Sequence, residues 1–187
     1  HEHLEYYGLH QIQTILQAAQ LKIVDVELND VNGGSFSITA THGKSSMKSS
    51  DKVTALLDKE KKEGYLGLEL YSKYASEVKK HSSELKSMVH EIRRAGQTIH
   101  AYGASTKGNV IIQYCGVDAN DISAVAEVNE DKFGKFTPGS LIPIISETES
   151  KAMKPDYYLV MPWHFKKNIL AREKKYILEK NAKFIYH

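Results

Sequence analysis

The chain contains 187 residues, with 25 basic and 23 acidic side chains, and 41% of its residues are hydrophobic. This length and composition are typical of a folded globular protein of one domain, or of one domain with part of another, and they exclude disorder as the main state. The formal net charge of +2 disfavours a nucleic-acid partner, and no apolar run approaches the roughly 18–20 residues that span a bilayer.

The first segment has the pattern of a helix followed by a β-hairpin. Residues 10–20 place four apolar side chains on one face of a helix: Ile12, Ile15, Leu16 and Ala19. Residues 21–28 and 35–41 have the pattern of two strands, and a glycine pair between them is typical of a turn. A lone helix and hairpin bury too little to form a domain, and the chain begins without a methionine. We therefore expect residues 1–42 to be the tail of a domain that lies upstream.

A polar segment and a long helix follow. Residues 43–50 are small and polar, as in linkers, and Asp51 can cap the helix that comes after them. A second helix is predicted from about residue 67 to residue 94, with side chains at alternating spacings of three and four: Tyr71, Tyr74, Val78, His81, Leu85, Met88 and Ile92. This stripe fits either the coiled-coil seam of a dimer or a helix that lies along its own domain. We favour the second interpretation.

After Gly96 short strands alternate with helices. The strands are predicted at residues 98–102, 122–128, 141–145, 156–161 and 183–186, and the helices at residues up to 114 and at 163–179. Such an order predicts an α/β fold with a Rossmann-like, doubly wound, mostly parallel sheet. Residues 51–187 are accordingly predicted to form a C-terminal domain.

The chain has a single cysteine, Cys115, which lies in an apolar helical segment and is predicted to be buried. One cysteine cannot form an internal disulfide bond. This favours a reducing compartment, and we expect a cytoplasmic location.

The most informative motif is a glycine-containing loop between the strand at 98–102 and the next helix. Its backbone N–H groups and the helix dipole favour an anion such as a phosphate. Lys107 adds a positive charge, and two hydroxyl groups add donors. The candidate ligand-binding residues are Gly103, Ala104, Ser105, Thr106, Lys107, Gly108 and Asn109.

The segment differs from both of the common phosphate-binding loops. Gly103 and Gly108 have the spacing of a P-loop but lack the Lys-Ser/Thr that follows it, which disfavours nucleotide hydrolysis. In the dinucleotide fingerprint the middle glycine is replaced by Ser105, but Glu127 stands roughly 20 residues on, where an acid that binds the ribose is expected. An NAD(P)-binding oxidoreductase domain therefore remains an alternative. A non-catalytic docking or dimerisation module, in which the glycines only turn the chain, is another.

Two further groups of residues are candidates for chemistry. His1-Glu2-His3 provides a histidine beside a carboxylate, a plausible general base, although a metal pair or an irregular chain end also fits this segment. Trp163, after Pro162, either stacks on a nucleobase or sugar or fills the core.

Taken together, these segments resemble the S-adenosylmethionine-dependent sugar C-methyltransferases that act on nucleotide-linked keto-sugars. The matching pieces are His1-Glu2-His3-Leu4 with Tyr7, the Gly33-Gly34-Ser35 hairpin, Tyr102 through Asn109, Asn129 through Pro143, and Pro155-Asp156-Tyr157 through Pro162-Trp163. They are distributed over most of the chain.

The resemblance implies a three-module enzyme, of which this chain is the end of the central methyl-donor domain and the whole C-terminal domain. S-adenosylmethionine would be bound mainly by the upstream domain, and zinc only by the N-terminal one. An NDP-4-keto-deoxysugar would bind between the last two domains, its diphosphate held by the C-terminal one.

The resemblance also implies roles for individual residues. His3, with Glu2 beside it, would remove the proton at C3, and the resulting enolate carbon would accept the methyl group. Tyr7, the glycine loop and Trp163 would contact the substrate. We expect no nucleic-acid or membrane partner, and we expect the chain to be inactive without its upstream domain.

Overall fold

The computed structural model describes residues 5–31 and 34–186, which form two compact units. The first unit extends through Glu77 and the second begins at Val78. The division falls within one long helix, α3, which spans Leu68–Arg94.

The first unit combines two helices with a hairpin. Before α3 its elements are α1 (Leu9–Ala18), β1 (Leu21–Asn29), β2 (Ser35–His42) and α2 (Asp51–Lys62). The strands are antiparallel, as predicted, with Leu21 opposite His42 and a bulge between Ile23 and Asp25. The buried core of this unit is formed by Leu9, Ile23, Val26 and Val53.

The prediction that Ile15 and Ala19 lie on the buried face of α1 is wrong. Ile12 and Leu16 pack against the core with Leu9, but Ile15 is 52% exposed. The buried stripe follows positions 9, 12 and 16, and Ile15 lies about 100° around the helix from Leu16. Ala19 is also exposed, because it lies at the carboxyl end of the helix.

Hydrogen bonds from α2 and the segment before it hold this unit together. The backbone N–H groups of Leu9 and His10 donate to the buried Glu60 carboxylate at 2.5 and 3.0 Å, so a side chain of α2 holds the amino end of α1. In the predicted linker, Ser49 and Ser50 donate to β1, both at 2.6 Å. The predicted domain boundaries at residues 42 and 50 stay predictions.

The second unit contains a parallel sheet of five strands, which confirms the predicted Rossmann-like α/β class. The spatial order of its strands is β5-β4-β3-β6-β7. In chain order they are β3 (Ile99–Tyr102), β4 (Ala124–Glu127), β5 (Ile144–Ser146), β6 (Tyr157–Val160) and β7 (Lys183–Ile185). Ala101 in the central strand lies opposite Val125 on one side and Leu159 on the other.

Helices cover both faces of this sheet. They are the carboxyl half of α3, α4 (Thr106–Cys115), α5 (Glu147–Met153) and α6 (Lys166–Lys180). Ile99 and Ala101 pack in one core with residues of α3 and α4, while Tyr102 packs in a second core with Ile169 of α6. The alternation of side chains along β3 therefore divides the core into two layers. Cys115 is buried in the first layer, as predicted.

The long helix contributes to this core only through its carboxyl half. Leu85, Val89 and Ile92 are buried in the first layer, whereas Tyr71 and Tyr74 are 44% and 69% exposed. The interpretation of α3 as a helix lying along its own domain is therefore confirmed for this half. None of the helices in the described part of the chain is long and apolar enough to cross a membrane.

Three details of the second unit differ from the sequence prediction. The strand predicted at 141–145 begins later, at Ile144, because Leu141 is in a left-handed turn with φ +53°. The seven-residue helix α5 was not predicted, since it is short and mostly polar. The predicted helix at 163–179 begins with a 3₁₀ turn over Trp163–Phe165.

Replacing Ile99 tests the assignment of the core. Ile99 is fully buried in the central strand, so Ile99→Ala is expected to lower the free energy of unfolding of the second unit by about 2–5 kcal/mol. Leu178→Ala removes a side chain of α6 that is 74% exposed, and this control is expected to stay within about 0.5 kcal/mol of wild type. Urea unfolding followed by circular dichroism measures both, and equal effects would contradict the assignment.

Candidate functional site

A cleft of about 380 Å³ opens at the carboxyl ends of the parallel strands. It lies where β3 is flanked by β4 and β6, at the point where the strand order reverses. Ligands of open α/β sheets bind at such a point. The lining residues are Tyr102, Gly103, Ala104, Ser105, Glu127, Val128, Lys132, Glu147, Pro162, Phe165, Asn168, Ile169 and Arg172.

The turn after β3 forms one wall of the cleft. Gly103 has φ +83°, and its N–H donates to the Ala126 carbonyl at 2.8 Å. A Cβ at this position would lie 2.9 Å from Cδ of Pro162, which follows β6. Glycine therefore allows both a left-handed backbone and the close approach of two loops.

The glycine loop divides into a part at the cleft and a part that builds the helix. Of the seven predicted ligand-binding residues, Gly103, Ala104 and Ser105 line the cleft, whereas Thr106, Lys107, Gly108 and Asn109 do not. Ser105 is the N-cap of α4, and its hydroxyl oxygen accepts from the Gly108 N–H at 3.1 Å. Gly108 is buried against the residue that follows β6, since an added Cβ would lie 2.5 Å from Cβ of Met161.

Glu127, at the end of β4, occupies part of the position expected for an anion. Its carboxylate accepts from the N–H groups of Ala104 at 2.9 Å, Val128 at 2.8 Å and Asn129 at 3.1 Å. It also pairs with the Lys132 ammonium at 3.2 Å. Burial raises the pKa of the Glu127 carboxyl, but the hydrogen bonds from these four groups outweigh burial and hold the pKa below its usual range.

This arrangement bears on the dinucleotide alternative. A carboxylate has about four acceptor positions, and Glu127 uses four donors within its own and the neighbouring loop. A ribose contact by this acid would have to replace one of those hydrogen bonds.

Several cleft residues were missed by the sequence analysis. Asn168 and Arg172 lie on the amino-terminal part of α6, at a spacing of four that places side chains on one helix face, and Phe165 is the N-cap residue just before it. Phe165 is 54% exposed and provides an aromatic surface in the cleft. The predicted aromatic contact, Trp163, does not line the cleft, and its ring lies edge-on to His164 with centroids 5.7 Å apart.

A network of charged side chains bounds the cleft between α5 and α6. Arg172 donates to Glu147 at 2.5 Å, to Glu173 at 3.2 Å and to the Tyr102 hydroxyl. Glu173 is buried and also accepts from the Tyr102 hydroxyl at 2.7 Å and from Lys151 at 2.6 Å. Burial raises the pKa of Tyr102, so its phenol is neutral at physiological pH.

The predicted catalytic residues and the predicted substrate contact Tyr7 belong to the first segment of the chain. His3 and Glu2 lie outside the residues that the structure describes. Tyr7 belongs to the first unit, is 45% exposed, and donates a hydrogen bond to Glu5. Across residues 5–31 and 34–186, no group of three or more His, Cys, Asp or Glu side chains is arranged to hold a metal ion.

Replacing Gly103 separates close packing from backbone conformation. A non-glycine residue in the left-handed conformation costs ~1 kcal/mol. Gly103→Ala is expected to lower the free energy of unfolding of the second unit by clearly more than this, because the added methyl group would clash with Pro162. The matched control is Gly134→Ala, which has φ +72° and no atom within 4 Å of the added Cβ. Thermal unfolding compares the two variants, and an equal loss would contradict the proposed close contact.

The hydrogen bonds of Glu127 predict a dependence of stability on pH. Because its pKa is lower in the folded than in the unfolded chain, its contribution is complete above the unfolded value of about 4.3. The contribution is lost as the pH falls through the folded pKa. We expect Glu127→Gln to cost about 1–3 kcal/mol at pH 7 and progressively less towards pH 3, measured by urea unfolding. A cost independent of pH would contradict this, and Glu130→Gln, at an exposed carboxylate nearby, is the control.

Comparison with known proteins assigns the chain to a family. Residues 30–187 match the family described as C-methyltransferase C-terminal domain. The chain is also 31% identical over 185 residues to "C-methyltransferase NovU" of Streptomyces niveus. That alignment covers 99% of this chain and 44% of the relative, so the chain spans less than half of the relative's length. On these matches and on the α/β fold, the chain belongs to the C-methyltransferase C-terminal domain family.

Proposed function

We propose that this chain is the C-terminal part of an enzyme that transfers a methyl group from S-adenosylmethionine to C3 of an NDP-4-keto-deoxysugar. Its second unit would bind the nucleoside diphosphate of that substrate. The observation that carries the proposal is the cleft at the carboxyl ends of β3, β4 and β6, in a chain of a C-methyltransferase family.

The location of the cleft favours an anionic ligand. Ala104 and Ser105 line it immediately before α4, and Phe165 lines it immediately before α6. Helix amino termini carry a partial positive charge, which stabilises phosphate oxygens. The N–H groups of Ala104 and Ser105 already donate to Glu127 and to the Gly103 carbonyl, so the support comes from this charge and not from N–H groups without a partner. Lys107, in the first turn of α4, adds a cation to the same edge of the sheet.

The nucleobase is assigned to the aromatic surface of the cleft. Phe165 is exposed there, and a phenyl ring stacks on any base because every base presents a π-face. Trp163 lies two residues before Phe165, and its contact with the substrate stays a prediction from the family resemblance.

The proposed chemistry begins with proton removal from carbon. His3, with Glu2 beside it, would take the proton at C3, and the C4 ketone would accept the resulting negative charge as an enolate. These roles rest on the family resemblance of His1-Glu2-His3. When bound, S-adenosylmethionine supplies the electrophilic methyl group that the enolate carbon receives.

The proposal places S-adenosylmethionine mainly, and zinc entirely, in an upstream part of the polypeptide, as the family resemblance implies. The cleft offers helix amino termini, which favour phosphate over a sulfonium cation. The proposal also predicts that this chain alone does not catalyse methyl transfer.

Titration of the isotope-labelled chain with dTDP, NAD and S-adenosylmethionine, each alone, tests the ligand. We expect dTDP to shift the backbone amide signals of residues 103–105, Val128, Lys132 and Phe165, which line the cleft. Shifts at these residues with NAD and not with dTDP would favour the oxidoreductase alternative. No shift with any of the three would contradict a nucleotide site in this unit.

A pair of phenylalanine variants tests the base contact. Phe165→Ala should weaken dTDP binding by about 1–3 kcal/mol if the ring stacks on the base. Phe136→Ala is the matched control, since Phe136 is 60% exposed on a loop of the same unit and does not line the cleft. Isothermal titration calorimetry measures both, and an equal loss of affinity would contradict the stacking assignment.

A further inference from the structure

We propose that Arg172 binds the diphosphate in the cleft, and that Glu147 occupies the Arg172 guanidinium when no ligand is present. Ligand binding would then replace the Glu147 carboxylate by a phosphate oxygen. This inference rests on the proposed function, because it requires that the cleft receives a nucleoside diphosphate.

The position of Arg172 is the first argument. It lies on the second turn of α6, and helical side chains extend back towards the amino terminus of their helix, which here is the cleft side. Its side chain is 50% exposed and lines the same cleft as Gly103 and Phe165. A guanidinium in this position can reach a ligand without rearrangement of the backbone.

The capacity of the guanidinium is the second argument. Arg172 makes three hydrogen bonds, from Nε to Glu173 and from Nη2 to Glu147 and Tyr102, and a guanidinium has five N–H donors. Its planar fork matches a phosphate group in a bidentate arrangement, which makes arginine a common partner of phosphates.

The two carboxylates at Arg172 differ in how firmly they are held. The side chain of Glu173 is 3% exposed, and it also binds Lys151 and the Tyr102 hydroxyl. Glu173 is therefore held by several partners away from solvent. Glu147 is at the first position of α5, with a side chain 18% exposed, and it too lines the cleft. Glu147 is therefore the carboxylate that can leave, and solvent and the helix amino terminus can stabilise it when it does.

The remaining members of the network act as positioning residues. Lys151 compensates the charge of Glu173, and Glu173 holds the Nε edge of Arg172. Tyr102, at the end of the central strand, accepts from Nη2 while donating to Glu173. These contacts keep the guanidinium in place whether its outer partner is Glu147 or a phosphate.

Calorimetric titration of the chain with dTDP at low ionic strength tests the exchange. Arg172→Gln should weaken binding by about tenfold or more, because it removes a charge-assisted contact. Glu147→Gln should strengthen binding severalfold, since it removes the internal carboxylate that competes for Arg172. In the double variant, the Glu147 substitution should have no further effect.

Glu149→Gln is the matched control. Glu149 is an exposed carboxylate in the same first turn of α5 and does not line the cleft. If it strengthens dTDP binding as much as Glu147→Gln does, the effect is only a general loss of negative charge, and the exchange is wrong.

The other outcomes separate this inference from the proposed function. If wild type binds dTDP and Arg172→Gln binds it equally well, the inference is wrong and the proposed function stands. If Glu147→Gln weakens binding, Glu147 supports Arg172 and does not compete with the ligand, which overturns the exchange. If wild type does not bind dTDP, the proposed function fails first, and the inference fails with it.

Discussion

The cleft depends on the burial of one short strand at the centre of a parallel sheet. All four residues of β3 are buried, and their side chains alternate between the two layers that cover the sheet. Ile99 and Ala101 pack in an apolar layer on one face of the sheet. On the other face, His100 forms a hydrogen bond with Ser150, and Tyr102 forms one with Glu173. Because this strand ends at Tyr102 between two neighbouring strands, it determines where the loops after β4 and β6 meet.

Buried carboxylates connect segments that are far apart in the chain. Glu60 binds the amino end of α1, Glu127 binds the loop after β3, and Glu173 joins a strand to two helices. Each is stabilised by backbone N–H groups or by a cation, so the cost of removing its charge from water is offset by hydrogen bonds. Glu127 lines the cleft and Glu173 binds Arg172, which also lines it, so each of these carboxylates is balanced by a cation of the same unit.

The sequence predicted the class of fold because its signals are local. The strands of the second unit are short runs of buried apolar residues between turns, and the helix α4 begins directly after a glycine loop. The helix α5 was missed because seven mostly polar residues carry too little periodicity. Ile15 was assigned to the wrong side of α1, since an apolar residue near the edge of a stripe does not by itself indicate whether it is buried.

Of the cleft, the sequence analysis identified the glycine turn and Glu127 but not the residues contributed by α5 and α6. Residues 103–105 were found because the motif is contiguous, but Arg172 and Glu147 are brought to the turn by the order of the strands, which no single window contains. Glu127 was recognised by its distance along the chain from the loop. Its hydrogen bonds depend on the backbone conformation of the residues that follow it, and that conformation follows from the three-dimensional arrangement.

The packing of Gly108 has a consequence for how such loops are recognised in other sequences. Its hydrogen atom faces Met161 of the strand-to-helix connection, and any larger residue would push the helix away from the sheet. Evolution would therefore keep a glycine there even in a descendant that had lost every ligand. A search that scores this residue as a sign of nucleotide binding would therefore detect how closely the helix packs against the sheet, and not whether a ligand binds.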